Sequence, residues 1–138
     1  MDPFDAIQNY VKCCTDTFNQ EQFSKLLADD VKLNHCTLDN YECVENTHEI
    51  GKEKVTQLFE QFIFSNTKDV SVSETETEKK GSAYVLKLKL SETKVVNGQS
   101  IRYYFKEKTQ FTFQPNTNMF ASISSVVKRR ELTKFKAC

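Results

Sequence analysis

A change of hydrophobic period near Lys68 constrains this chain more than any other feature. Before it, Phe4, Ile7, Val11, Cys14 and Phe18 recur at spacings of three and four, the stripe of one helix face. From Lys68 to about Leu132 the pattern alternates, and Gly81, Asn97-Gly98 and Pro115-Asn116 break it into four strands of a meander. Helices first and antiparallel strands after them predict an α+β domain with its helices on one face of the sheet. Asn97-Gly98 is the favoured two-residue hairpin turn, which sets Val96 opposite Gln99. Continued inward, that register sets Leu90 opposite Phe105, Leu88 opposite Glu107, Leu86 opposite Thr109 and Tyr84 opposite Phe111, so the apolar partners share one face. For the preceding hairpin, a three-residue loop of Lys79, Lys80 and Gly81 sets Val72 opposite Leu88 and Val70 opposite Leu90. The last hairpin, through Pro115 to Asn118, leaves open which row of the final strand points inward.

The segment before Lys68 supplies the layer that covers the sheet. Asp2 can cap a helix over residues 3–17, with Pro3 at its first position and Asp5 in its first turn. A short second helix carries Phe23, Leu26 and Leu27 and stops at Asp29-Asp30, where a strand begins with Val31 and Leu33. Asn34 to His48 reads as irregular, with a short strand at most around Tyr41 and Val44. A third helix opens near Gly51 and buries Ile50, Val55, Leu58, Phe59 and Phe62. No repeat, low-complexity tract or linker interrupts the chain, so residues 1–138 are expected to form a single domain.

Composition narrows the function. The chain has 138 residues, 38% hydrophobic and 28% charged, and its 19 Lys+Arg cancel 19 Asp+Glu. A zero net charge argues against a specific nucleic-acid partner and against a polybasic membrane anchor. The N-terminus lacks a basic-then-apolar leader, and no stretch approaches the ~20 apolar residues that span a bilayer, which implies a cytoplasmic or nucleocytoplasmic location. Cysteines at 13, 14, 36, 43 and 138 are odd in number and form no C-x-x-C, so all five are expected as free thiols. Neither they nor His35 and His48 show zinc spacing, and a Cys36–His48 nucleophilic pair has no supporting motif. No phosphate loop, nucleophile elbow or metalloprotease helix is present, and no cofactor is called for.

The order helix, helix, strand, irregular segment, helix and four-stranded meander resembles the nuclear-transport-factor-2-like superfamily, which includes SnoaL-like cyclases and ketosteroid isomerases. The residues that carry the resemblance are Tyr10-Val11, Phe18-Asn19, Leu26 to Val31, Gly51 with Val55 and Phe59, and Phe111-Thr112-Phe113. It implies a cystatin-like cone, three N-terminal helices packed on a curved antiparallel sheet, open at one end to a small molecule. It also implies functional positions. The family's general base falls at His35, five residues past Asp30; its oxyanion-hole acid falls at Thr109; its first-helix tyrosine falls at Tyr10, or at Cys14 without an inserted turn. Histidine and threonine replace the two acids, so ketosteroid isomerisation is not implied. The outer sheet face, where relatives often dimerise, carries Arg102, Tyr104, Lys106, Lys108, Lys87 and Lys89, leaving a homodimer as an expectation tempered by charge.

The candidate site follows from parity and chemistry. Glu107 interrupts the inward row between Phe105 and Phe111, and only a bulge would turn it outward. A carboxyl in apolar walls must be neutral or be paired, and protonated His35 is the expected partner. His35 and Glu107 are thus the catalytic candidates, with Tyr10, Cys14, Leu88, Thr109 and Phe111 as ligand-binding positions. The leading expectation is a non-enzymatic domain that binds a small apolar ligand in the cone. A small lyase or isomerase using His35 and Glu107, or a protein-interaction module, are the alternatives.

Overall fold

The computed structural model describes residues 2–15, 19–39, 41–63 and 67–133, apart from the side chains of 62, 63 and 133. Helix α1, Pro3–Thr15, opens on a reciprocal cap: the Asp5 amide donates to the Asp2 carboxylate at 2.9 Å and the Asp2 amide to Asp5 at 3.4 Å. Its continuation through residues 16 and 17, and Phe18, lie outside the described residues. Helix α2, Gln20–Ser24, is a single turn capped by Asn19, whose side chain accepts from the Gln22 amide at 3.1 Å. Helix α3, Lys52–Leu58, widens into a π-turn over Phe59–Ile63.

Among the described residues six strands form one sheet: β1 Leu27–Asp39, β2 Glu42–Ile50, β3 Thr67–Lys80, β4 Ala83–Val96, β5 Gln99–Phe113 and β6 Phe120–Thr133. Their order is β2-β1-β6-β5-β4-β3, and all neighbours are antiparallel except β1 and β6. The expected four-stranded antiparallel sheet is therefore a six-stranded mixed one. Two helices precede it and the third follows β2, so the helices are not all N-terminal. The β4–β5 ladder has the expected register throughout, from Val96 opposite Gln99 to Tyr84 opposite Phe111. Asn97 and Gly98 both take positive φ there, as their turn type requires.

Three expectations are corrected. The segment read as irregular is the β1–β2 hairpin, and Tyr41 is an exposed turn residue with φ 67° rather than part of a strand. Leu27 is not helical: it starts β1, and the Phe120 amide reaches across to the Leu26 carbonyl at 2.7 Å. The β3–β4 turn contains two residues, with Lys80 opposite Ala83, which sets Thr75 opposite Leu88, and a bulge in β3 beyond Glu74 then brings Val72 opposite Leu90. An edge strand with mostly exposed side chains tolerates such bulges, because no buried row punishes a slip.

The core lies between α1 and the concave sheet face. Ala6, Ile7, Tyr10 and Cys13 are its buried helix residues, whereas Phe4 is 43% exposed and Val11 and Cys14 are half-buried. The buried stripe is thus rotated slightly from the Phe4–Val11 line. Ile50 is likewise outside the core, at 61% exposed, as the last residue of β2. Tyr10, Phe23, Phe59, Phe111 and Phe120 cluster edge-on or tilted, with Phe111 and Phe120 4.6 Å apart and Tyr10 and Phe111 5.0 Å apart. Each such ring contributes about 1.5–3 kcal/mol through burial, and the cluster plugs one end of the cone. Among the described residues no helix is long and apolar enough to cross a membrane.

Candidate functional site

A cavity of about 180 Å³ opens beside the aromatic plug, between α1 and the concave sheet. Tyr10, Phe59, Leu90, Phe105 and Val127 form apolar walls, and Cys14, His35, Thr37, Glu45, Glu92, Lys94, Glu107 and Arg129 supply polar groups. Parity explains the gathering. Leu90, Glu92 and Lys94 continue one row of β4; Phe105 and Glu107 stand on β5; Val127 and Arg129 stand opposite them on β6. The parallel β1–β6 pairing then sets Thr37 beside Val127 and brings His35 to the same wall. At the rim, Arg129 donates to Asp39 at 3.1 Å and its guanidinium lies 5.1 Å from the Tyr103 ring centre.

Glu107 is the polar centre of the site. The hydroxyl of Thr109 donates to its Oε1 at 2.8 Å, and the Ser125 hydroxyl lies 3.0 Å from that of Thr109. Because Thr109 spends its single proton on Glu107, Ser125 is the donor in the second contact. Burial pushes the Glu107 carboxyl up from its ordinary 4.5, against the Thr109 hydrogen bond that favours the anion. Its side chain is ringed by protein and meets water through the cavity, which is why it is half-buried by area. Burial also holds the Tyr10 phenol and the Cys14 thiol well above their ordinary values, so both stay protonated.

His35 behaves oppositely. Burial lowers its pKa from the ordinary 6.5, outweighing the opposing pull of Glu45. Its Nε2 lies 3.2 Å from the Thr37 hydroxyl, which donates to Glu45 at 3.4 Å. A hydroxyl that gives its proton to Glu45 must accept from the ring, which makes Nε2 the protonated nitrogen and Nδ1 the ring's acceptor.

In solved structures the same architecture recurs. A SnoaL-like protein from Shewanella denitrificans superposes with a TM-score of 0.70 over 91% of this chain and 89% of its own, at 16% identity. The fold is nuclear-transport-factor-2-like. A nuclear-transport-factor-2-like protein from Burkholderia xenovorans matches with a TM-score of 0.67 over 91% of this chain and 88% of its own, at 10% identity. An LEH-like epoxide hydrolase from Mycobacterium tuberculosis matches with a TM-score of 0.60 over 91% and 81%, at 12% identity. No family model and no curated protein sequence matches the chain.

Within this nuclear-transport-factor-2-like cone, the structure brings together Tyr10, Cys14, His35 and Glu107 of the residues singled out from sequence. Leu88, Thr109 and Phe111 fall behind the cavity wall: Leu88 is 1% exposed, and Thr109 and Phe111 are fully buried. Thr109 thus meets Glu107 rather than open space. The expected ion pair between His35 and Glu107 is not formed, because each is held by threonine hydroxyls on its own strand. His48 turns to the Asn34 side chain rather than to Cys36, so no Cys36–His48 pair exists. Among the described residues, no three His, Cys, Asp or Glu side chains converge as a metal would need. Thr37, Glu45, Glu92, Lys94 and Arg129 were missed. For the β4 pair a signal existed: the row that carries Leu88 and Leu90 inward continues to Glu92 and Lys94.

Proposed function

We propose that the cone binds one small, largely apolar molecule of about single-ring size that offers a hydrogen-bond acceptor to Glu107. The observation that carries this reading is a cavity whose apolar walls, beneath a polar rim, meet a carboxyl whose neutral form burial favours. With Oε1 occupied by Thr109, the proton of the neutral acid sits on Oε2 and is available to a ligand carbonyl or hydroxyl oxygen. Size supports the class. A dry cavity of about 150 Å³ holds benzene, so about 180 Å³ admits one substituted ring rather than a fused polycycle. The open, polar-rimmed cavity favours this over a protein-interaction module, which has no need of an open interior.

The test is a thermal-shift and NMR screen of single-ring ketones, phenols and amides. A true ligand at about 100 times its Kd stabilises the fold by about 2.7 kcal/mol. Its resonance shifts should centre on Glu107, Tyr10 and Phe105, and Glu107→Leu should remove the effect while the fold persists. Ligands that stabilise the protein but shift residues elsewhere would overturn the reading, as would a panel without effect.

One observation favours a second reading, a small lyase or isomerase. Burial drives His35 toward its neutral base and Glu107 toward its neutral acid, and both face one cavity. A bound molecule that spans them could lose a proton at His35 and gain one at Glu107. His35→Gln would then abolish turnover of a bound compound while leaving its Kd within a few-fold.

A further inference from the structure

Cys36 and Cys43 hold their sulfurs 3.3 Å apart on the β1–β2 hairpin. Regular pairing alone would not bring them together. Asn34 opposes His48 and Cys36 opposes Asn46; an unbroken ladder would next set Leu38 opposite Val44 and turn Cys43 to the other face. Instead the register shifts after Thr37, so Leu38 opposes Cys43. The extra residue at Val44 therefore moves Cys43 to the face that Cys36 and Leu38 share. Cys43 is exposed and Cys36 half-buried, so a small reagent reaches the pair.

We propose that Cys36 and Cys43 form a reversible dithiol that a small-molecule disulfide oxidises to an intramolecular bond. The Cys43 thiolate attacks one sulfur of the reagent RSSR; that S–S bond breaks, a Cys43–S–S–R mixed disulfide forms, and RS⁻ leaves. Cys36 gives its proton to solvent and attacks the Cys43 sulfur, forming the Cys36–Cys43 bond and expelling the second RS⁻. The protein loses two electrons and two protons, and one RSSR becomes two RSH. Exposure makes Cys43 the attacking thiol. The hydrogen bond that Cys36 shares with Cys43 raises the Cys36 pKa, in keeping with its role as the resolving thiol.

Geometry also sets the bond's lability. Closure draws the two sulfurs from 3.3 Å to the ~2.05 Å of a bond, and with Cys43 exposed the disulfide is open to reduction, as a switch requires. Cys36 lies between His35 and Thr37, which line the cavity, so closure pulls on that wall. This last consequence rests on the ligand-binding reading, whereas the bond itself is measured without any ligand.

The experiment treats the native full chain with oxidised glutathione, quenches free thiols by alkylation and maps tryptic peptides by mass spectrometry. Cleavage after Lys32 and Lys52 leaves both cysteines in one peptide, residues 33–52. The expected product is that peptide short of two hydrogens and without adduct, restored to the dithiol by excess reduced glutathione. Cys36→Ser should instead retain one glutathione on Cys43. A wild-type peptide that ends as the glutathione adduct, or stays fully alkylated, would overturn the proposal. So would equal ring closure in denatured protein, because the fold would then contribute nothing to the pairing.

Discussion

Thr109 holds the centre of the pocket, although it never touches the cavity. It joins the Ser125 hydroxyl to the Glu107 carboxyl and is itself fully buried. Thr109→Val keeps the shape and deletes both contacts, which should cost about 1–3 kcal/mol because partners are left unsatisfied. The same hydrogen bond lowers the Glu107 pKa, so the valine variant should titrate Glu107 at higher pH than wild type, read from its side-chain carboxyl carbon by NMR. An unchanged titration would show that Thr109 does not govern the acid. Glu107 itself was legible from sequence, since a carboxylate stood alone in an apolar row whose register one turn had fixed. Arg129, Thr37 and Glu45 were not. They reach the cavity only through pairings that join β1 to β2 and to β6, and no local pattern announces a parallel neighbour ninety residues away.

Among the elements, legibility tracked burial. Strands β4 and β5 turn Leu86, Leu88, Leu90, Phe105 and Phe111 onto one face at 8% exposure or less, so only one register keeps that face apolar. Leu88→Ala should therefore destabilise by about 2–5 kcal/mol in a denaturant titration, and an unchanged midpoint would show that the row faces solvent. Strand β3 offers no such constraint, and its bulges escaped a reading built on alternation. The β1–β2 hairpin escaped for a related reason. Every residue of β2 is at least partly exposed, so polar side chains such as Asn46, Thr47, His48 and Glu49 occupy it without the alternation that marks a half-buried strand.

For the molecule as a whole, the two pocket groups pull stability in opposite directions with pH. Glu107 is raised from 4.5, so the folded state keeps its proton longer; that stability is complete below 4.5 and is lost as pH rises through the folded pKa. His35 is lowered from 6.5, so the unfolded chain protonates first; that stability is complete above 6.5 and is lost as pH falls toward the folded pKa. Glu107→Gln removes the first contribution. Its stability relative to wild type should grow as pH rises above 4.5 and then level off, measured by urea denaturation at stepped pH. A constant difference across that range would show that Glu107 ionises alike in both states. A separate consequence comes from the parallel seam. During synthesis, Leu27–Asp39 leaves the ribosome well before Phe120–Thr133 exists, so the nascent hairpin waits with one strand edge bare. Bare edges template aggregation, and closing so long a loop is slow. The polar side chains that hid this hairpin from a hydrophobicity reading are also gatekeepers, keeping it dissolved until its last partner arrives.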